Sequence, residues 1–177
     1  MATIIVLIAL IALAIWLSLP TLFHGAVYLG MKQERVEDMV KAARVTAGMR
    51  VADFGSGDGR VVIAFARAGA EAHGYEIDPL FVFISRWKIR RAGLADRATI
   101  HWQSFWSSNA GDYDLITLFG FDTFMKRLQS KLLAELRPGA RAICYVYQFP
   151  KWKPIETIGR LAVYEQKGGI ELSSKLL

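Results

Sequence analysis

The sequence predicts an α/β domain in which a parallel sheet carries helices on both faces. Short apolar strand patterns alternate with amphipathic helical patterns between about residues 33 and 166, the order that builds a parallel sheet. Glycine or polar side chains follow several of these strands. Because ligands bind outside the carboxyl ends of parallel strands, the same pattern predicts a ligand site at one edge of the sheet.

Capping and stopping residues indicate where the elements begin and end. Pro79 suits the first turn of a helix, and Gly48, Gly93 and Pro138-Gly139 end the helices that precede them. In chain order, the predicted elements are a helix over Gln33–Val45, a strand over Arg50–Phe54, a helix over Arg60–Arg67, a strand within Ala70–Ile77 that ends at Glu76, a helix over Pro79–Arg91, strands over Ala98–Trp102 and Tyr113–Phe119, a helix over Phe124–Leu136, and strands over Ala140–Tyr147 and Leu161–Gln166, with Ile170–Leu172 as a candidate partner of the last strand.

The N-terminal segment differs most from the amino-acid composition of a soluble protein. Ala2–Met31 contains no Lys, Arg, Asp or Glu, and Ile4–Leu17 is apolar throughout. A helix of about 20 mostly apolar residues can cross a bilayer, so we predict a transmembrane anchor over residues 1–31 and one domain over residues 32–177. A cleaved signal peptide is disfavoured because Met1-Ala2-Thr3 offers no positive side chain. A buried helix or an atypical targeting sequence remains the other alternative.

Positive charge follows the apolar segment and is dispersed over the rest of the chain. Lys and Arg beside a span tend to stay in the cytoplasm, which predicts that the domain lies on the cytoplasmic side, or on the equivalent inner face of an organelle. The net charge is +6 and the pI about 9.6, which suits either an anionic lipid surface or solvated helix faces. The cations just after the segment are Lys32, Arg35, Lys41 and Arg44.

Cysteine and histidine usage limits the possible chemistry. The one cysteine, Cys144, excludes an internal disulfide and lies in an apolar strand pattern, which predicts a core residue. No Cys/His cluster has metal-binding spacing, so we predict no metal site. His24, His73 and His101 lack partners of catalytic spacing and are interpreted as structural.

The segment Val51–Arg60 carries the main ligand-binding signal. Its sequence is V-A-D-F-G-S-G-D-G-R. Asp53 lies near the end of the first predicted strand, and a turn that contains Gly55, Gly57 and Gly59 follows. Glycine lets the backbone approach a ligand closely, and amides at the start of a helix favour a carboxylate or phosphate. The spacing is G-x-G-x-G rather than the G-x-G-x-x-G of dinucleotide-binding turns.

Further candidate residues follow the later strands at the same edge. Glu76 lies 21 residues after Gly55, at the end of the second strand, where an acid can accept hydrogen bonds from ribose hydroxyls. Asp78 precedes Pro79 and is predicted to cap the next helix. Asp58 either contacts the ligand or shapes the turn. The remaining candidates at this edge are Gln103 and Ser104 after the third strand, and Phe119 and Phe121 after the fourth.

Together these residues resemble the class I S-adenosylmethionine-dependent methyltransferases, which have a Rossmann-like sheet with helices on both faces. The turn Gly55–Gly59 with Asp53 resembles their first motif, Glu76 their ribose-binding acid, and Leu136–Gly139 their L-x-P-G step. Other stretches resemble the small membrane-associated protein-lysine methyltransferases that act on the ATP synthase c-subunit and the adenine nucleotide translocase, which have prokaryotic relatives. These stretches are Gly74–Glu76, Ser85-Arg86, Phe105-Trp106 and Phe149–Trp152, with Ser104 where that family commonly has an acid.

The resemblance implies S-adenosylmethionine as cofactor and a role for each candidate residue. Asp53 would lie near the methionine ammonium, the amides around Gly55, Ser56, Gly57 and Gly59 near its carboxylate, and Glu76 at the ribose. Ile77 would pack on the adenine, Gln103 and Ser104 would border it, and Phe119 would be a further cofactor-binding residue. The candidates for a substrate channel are Trp106, Phe121 and Tyr147, together with Phe119, and each of them is otherwise a core aromatic residue.

The resemblance is consistent with three functions. We assign no general base for any of them. The first is methylation of lysine on a membrane or membrane-proximal protein, with that protein and the bilayer as partners. The second is methylation of RNA or a small molecule, which the basic pI motivates although nucleic acid is the less favoured partner. The third is non-catalytic S-adenosylmethionine binding. The stretch Phe119–Asp122 replaces the Asn/Asp-Pro-Pro-Tyr signature and argues against methylation of amides or of base amino groups.

Overall fold

The structure is a computed structural model that describes residues 1, 3–12, 30–120 and 122–168. The helices are α1 (residues 3–12), α2 (Gln33–Ala43), α3 (Arg60–Arg67), α4 (Pro79–Arg91) and α5 (Asp122–Glu135). The strands are β1 (Arg50–Phe54), β2 (Glu71–Glu76), β3 (Ala98–Trp102), β4 (Leu115–Phe119), β5 (Arg141–Tyr145), β6 (Glu156–Ile158) and β7 (Leu161–Glu165). Two short 3-10 turns, Phe105–Ser107 and Ala110–Asp112, lie between β3 and β4.

The predicted anchor falls mostly on residues that the structure does not describe. Residues 3–12 are helical, whereas residues 2 and 13–29 lie outside the described part of the chain. Among the described residues, no helix has both the length and the apolarity that a membrane crossing requires. The division into an anchor over residues 1–31 and a domain over residues 32–177 therefore stays a prediction.

The seven strands form one sheet in the order β3-β2-β1-β4-β5-β7-β6. β3, β2, β1, β4 and β5 are parallel, as predicted, but β7 pairs antiparallel with β5 and with β6. The predicted parallel sheet therefore comprises these five strands, and an antiparallel β7–β6 edge extends it. Ile158 pairs with Leu161, so only Gly159 and Arg160 connect β6 to β7, and a two-residue hairpin joins only antiparallel strands.

The predicted element bounds agree best where a cap or a glycine marks them. β1, α3, α4 and β3 have the predicted bounds. β4 begins at Leu115 because the amide of Tyr113 is used by the preceding 3-10 turn, where it donates to Ala110. β6 was not predicted, and the suggested partner over Ile170–Leu172 lies outside the described residues.

Helices cover both faces of the sheet, which confirms that part of the prediction. Successive residues of a strand point to opposite faces, and accordingly Val51 belongs to one buried cluster and Ala52 to the other. The first cluster receives α2, α3 and α4, and the second receives α5. Cys144 is buried in the second cluster, as predicted, and burial raises the pKa of its thiol.

Candidate functional site

The candidate site lies at the carboxyl edge of the sheet, between β1 and β4. The chain leaves β1 toward α3 on one face and leaves β4 toward α5 on the other, although the two strands are neighbours. Such a reversal of direction opens a crevice beyond the strand ends, and ligands of α/β sheets bind there. The glycine turn directly follows β1 and therefore lies at this edge of the sheet.

The turn after β1 is built from glycines in the left-handed region. Gly55, Gly57 and Gly59 have φ values of 82°, 49° and 78°, which side-chain-bearing residues rarely adopt. The amides of Gly55 and Ser56 both donate to the carbonyl of Tyr75 at 3.0 Å. These amides therefore tie the turn to the end of β2. Their predicted contact with a ligand carboxylate stays a prediction, and in the structure they already have acceptors.

The glycine turn also packs tightly against its surroundings. A Cβ atom on Gly59 would lie 2.7 Å from Cβ of Ser85 in α4. A Cβ atom on Gly74 would lie 2.6 Å from the Ser56 hydroxyl. That hydroxyl is buried and has no hydrogen-bond partner among the described residues, an arrangement that costs free energy unless another group satisfies it.

Glu76 is held by three backbone amides at the end of β2. Its Oε2 accepts from Gly57 at 2.8 Å, and its Oε1 accepts from Ile77 at 2.7 Å and from Asp78 at 2.9 Å. A carboxylate offers about four acceptor positions, so at least one on Oε2 remains for a further donor. Asp78 caps α4 by accepting from the amide of Leu80, which confirms the predicted cap.

Asp53 is a buried carboxyl group at the end of β1. It is 6% exposed and accepts a hydrogen bond of 2.8 Å from the Thr117 hydroxyl on β4. Burial raises the pKa of Asp53 to about 7, assisted by the neighbouring carboxylates Glu76 and Asp58 and opposed by the Thr117 hydrogen bond. No sequence motif singles out Thr117; it is the strand register, which pairs it with Asp53, that identifies it.

Asp58 shapes the turn through two ion pairs. Its carboxylate contacts the Arg60 guanidinium at 2.8 Å and the Lys88 ammonium at 2.6 Å. Although partial burial opposes the charge, hydrogen bonds to these two cations hold the pKa of Asp58 well below its usual range. Arg60 also donates to the carbonyl of Met31 at 2.6 Å. Of the two interpretations of Asp58, this geometry favours the shaping of the turn.

The residues predicted to surround an adenine lie after β2 and β3. Ile77 is half-buried, and its carbonyl accepts a 3.1 Å hydrogen bond from the indole nitrogen of Trp102. Gln103 is exposed, and Ser104 caps the following 3-10 turn by accepting from the amide of Trp106. The structure brings Ile77 and Trp102 into contact and leaves the Gln103 side chain on the surface.

The predicted aromatic residues divide between the two faces of the sheet. Phe119 packs against the first core cluster and contacts Tyr145 edge-on at 5.2 Å, whereas Trp106 and Tyr147 pack against the second cluster. Phe121 lies outside the described residues. The structure therefore does not join these aromatic rings into one continuous lining, and their place in a substrate channel stays a prediction.

A strained turn after β5 was not anticipated from the sequence. Val146 has a φ of 75°, and the amide of Tyr147 donates to the carbonyl of Tyr145 across it. This is a γ-turn of the rare, strained type. The amide of Val146 donates to the carbonyl of Arg160 in the β6–β7 turn. This hydrogen bond ties the strained residue to the neighbouring hairpin. Strain of this kind concentrates at functional sites, and here it ends β5 and sets the direction of Tyr147.

His73 and His101 form a pair within the sheet, in agreement with their structural interpretation. Their ring nitrogens lie 3.0 Å apart, and His73 also contacts Glu71 at 3.0 Å. The His101 ring stacks on Tyr75, and burial lowers the pKa of His101. His24 lies outside the described residues.

Comparison with known proteins identifies the family. A family profile described as "ANTKMT methyltransferase domain" matches residues 53–156. The chain is 40% identical to the ATP synthase c-subunit lysine N-methyltransferase of Mus musculus over 126 residues, which cover 71% of this chain and 51% of that protein. It is 33% identical to the adenine nucleotide translocase lysine N-methyltransferase of Mus musculus over 133 residues, 75% of this chain and 58% of that protein.

One solved methyltransferase structure matches the fold of this chain over nearly the whole of that structure's own length. The RNA methyltransferase from Salinibacter ruber, in complex with S-adenosyl-L-homocysteine, superimposes with a TM-score of 0.77 at 26% identity and covers 80% of this chain and 96% of that chain. The fold is thus the Rossmann-like methyltransferase fold with a seven-stranded sheet. The chain spans about half the length of the curated relatives it matches. By the match over residues 53–156, this chain belongs to the ANTKMT methyltransferase domain family.

Proposed function

We propose that this chain is an S-adenosylmethionine-dependent protein-lysine N-methyltransferase acting on a membrane-embedded or membrane-proximal protein. The observation that carries the proposal is the Glu76 carboxylate, which three amides fix at the edge of the crevice with acceptor capacity left over. A ribose diol supplies the donors that such a carboxylate needs. The names of the relatives, which specify lysine on the ATP synthase c-subunit or the adenine nucleotide translocase, support the substrate class.

The described residues fit the cofactor in four respects. Glu76 is pre-oriented for ribose hydroxyls, and Ser56 offers a buried hydroxyl that no other described residue satisfies. Asp53, once ionised, places a negative charge behind the glycine turn, which favours the methionine ammonium. Gly55 leaves open space on its Cβ side, where the backbone can approach a ligand closely.

The protein's part in the reaction is to align and desolvate the acceptor amine. Bound S-adenosylmethionine supplies an electrophilic methyl group on a positively charged sulfur. A lysine amine attacks only in its neutral form, and burial among aromatic side chains lowers the pKa of an amine. Phe119, Trp106 and Tyr147 are the described aromatic candidates for this role. Holding the acceptor in line and excluding water then accounts for the rate, without a general base.

The first test is methyl transfer by the purified full chain, with Glu76→Gln as the diagnostic variant. We expect label from S-adenosylmethionine on a protein band of a membrane extract, and lysine as the labelled residue by mass spectrometry. Glu76→Gln keeps the shape but exchanges a charged acceptor for an amide, so cofactor affinity should fall about 10- to 100-fold. Calorimetric titration measures this loss, and Glu156→Gln, at an exposed ion pair with Arg44, is the matched control. An unchanged affinity in Glu76→Gln contradicts the assignment.

RNA methylation is the second candidate. It is favoured by the 26% identity to the Salinibacter ruber RNA methyltransferase and by the net charge of +6, since a basic surface attracts phosphates. In the same assay, label that nuclease removes and protease leaves intact decides for RNA and against protein lysine.

The location proposed is a membrane, with the segment Ala2–Met31 as a single-pass anchor and the domain on the cytoplasmic side. The support is the lack of charge in that segment and the cations that follow it. In sealed vesicles whose lumen is cytoplasmic, a C-terminal epitope should survive protease until detergent is added. Digestion of the epitope before detergent is added contradicts the proposed orientation. Release of the chain by alkaline carbonate contradicts the anchor.

A further inference from the structure

The outward face of α4 carries large apolar side chains. Leu80, Phe83 and Trp87 are 61%, 70% and 53% exposed. Their spacing of three and four residues places them on one side of the helix. The opposite side is occupied by the buried residues Val82, Ser85 and Ile89. α4 therefore has a buried face toward the sheet and a second apolar stripe toward solvent.

Trp102 extends this stripe from the neighbouring strand. It ends β3, is 62% exposed, and donates its indole N–H to the carbonyl of Ile77, just before α4 begins. This bond places the ring beside the first turn of α4, where Leu80 lies. We call the four exposed side chains Leu80, Phe83, Trp87 and Trp102 the α4 patch. Clustered exposed apolar side chains of this size mark an interaction surface.

Positive charge accompanies the α4 patch. Pro79–Arg91 contains no acidic residue and ends with the exposed Arg90 and Arg91. The Arg91 guanidinium lies over the Trp87 ring at 5.5 Å. Trp, Phe and Leu side chains with flanking arginines are typical of helices that lie in the interface of an anionic membrane.

The chain enters the domain at the same edge of the sheet. The carbonyl of Met31, the last residue of the uncharged segment, accepts from Arg60, which directly follows the glycine turn. Close by, Lys32 and Arg160 border a cavity of about 440 Å³ and have no ion pair within the described residues. Cations of this kind beside an uncharged segment favour an anionic lipid surface. The full lining of the cavity is Lys32, Arg35, Tyr145, Gly159 and Arg160.

We propose that the α4 patch docks on the surface of an anionic bilayer, with the outward side of α4 lying along the membrane. The apolar side chains would enter the boundary between headgroups and acyl chains, and Arg90 and Arg91 would contact lipid phosphates. This orientation extends the proposed function, because the first turn of α4, which directly follows Glu76 and Ile77, would then lie close to a substrate held in the same membrane. The docking itself does not depend on that function.

The test is contact between tryptophan and lipid in the full chain reconstituted into vesicles. Lipids with brominated acyl chains quench tryptophan fluorescence on contact. In vesicles of phosphatidylcholine with about one third phosphatidylglycerol, we expect quenching to exceed that in pure phosphatidylcholine about twofold and to decline in high salt. Trp87→Phe with Trp102→Phe should remove this difference, whereas Trp152→Phe, which changes a partly buried residue packed against the second core cluster, should retain it.

A second pair of variants disrupts the docking itself. Phe83→Ser is expected to abolish the quenching of Trp87 and Trp102, whereas Ile155→Ser, which changes a 49% exposed apolar residue away from α4, should leave it unchanged. Absence of lipid contact at Trp87 and Trp102 overturns the proposal. So does a dimer in detergent that Phe83→Ser dissociates, because the α4 patch would then bind a second copy.

Methyl transfer in the same vesicles is scored separately. Docking without transfer contradicts only the proposed function, and transfer without docking contradicts only this inference.

Discussion

Replacing Asp53 by Asn is expected to stabilise the fold above pH 7 while weakening cofactor binding. In the folded state burial raises the pKa of Asp53 to about 7, whereas an unfolded aspartate ionises near 4. The folded state therefore holds an additional proton between about pH 4 and pH 7. Its free energy of unfolding falls as the pH rises through that window, by on the order of 4 kcal/mol. The Asn side chain has no charge to bury and still offers Thr117 an oxygen acceptor.

Urea denaturation at a series of pH values measures this effect. The unfolding free energies of wild type and Asp53→Asn should diverge between pH 4 and pH 7, with the variant the more stable at pH 8. Asp96→Asn, at an exposed carboxylate, is the control and should follow the wild type above pH 5. Parallel profiles for wild type and Asp53→Asn contradict a raised pKa.

Cofactor binding should change in the opposite direction at the same residue. An ionised Asp53 favours the methionine ammonium, so we expect affinity for S-adenosylmethionine to rise with pH through about 7 in the wild type. In Asp53→Asn this pH dependence should be absent, and affinity at pH 8 about tenfold or more below the wild type. A group that destabilises the fold and strengthens binding is typical of a functional site.

Local signals explain why much of the fold was predictable from the sequence. β1 is a short apolar run that ends at the glycine turn, and α4 has Asp78 as its cap and Gly93 just beyond its end. Each of these bounds is set by residues within a few positions of it, so sequence periodicity and capping chemistry suffice. The position of Glu76 at a strand end was predictable for the same reason, because Asp78 and Pro79, two and three positions later, mark the start of α4.

Features that depend on non-local pairing were not predictable. Thr117 matters only because β4 lies beside β1 in a register that places it opposite Asp53. Val146 adopts its strained φ while its amide is held by Arg160, 14 residues further on. The division of Phe119 and Tyr147 between the two faces likewise follows from the tertiary structure. Sequence spacing predicted which residues lie at the edge of the sheet, but not which way each side chain points.

The largest loss of stability in the site is expected from Gly59→Ala. Gly59 has a φ of 78°, and its new Cβ would lie 2.7 Å from Cβ and 3.3 Å from Cα of Ser85. The left-handed conformation costs an Ala about 1–2 kcal/mol, and the overlap with α4 adds about 1–3 kcal/mol. The start of α3 and α4 must then move apart, which shifts the turn that faces the cofactor.

Gly55→Ala is the matched control for this prediction. Gly55 has nearly the same φ, 82°, but its Cβ direction is open, with no atom within 4 Å. It should therefore lose only the conformational contribution, about 1–2 kcal/mol of unfolding free energy. Urea denaturation of the two variants separates backbone strain from the clash. Equal losses in both contradict a clash at Ser85.

A double variant identifies the clash more directly. Ser85→Gly removes the atom that the new Cβ meets first and deletes a hydroxyl that donates to the carbonyl of Val82. Alone it should destabilise α4 by about 1 kcal/mol, the usual cost of glycine within a helix. In the Gly59→Ala background the same change should cost less or even restore stability, a coupling that residues in contact show and distant residues do not. Recovery of S-adenosylmethionine affinity in the double variant would show that the spacing between α3 and α4, rather than glycine itself, sets the shape of the turn.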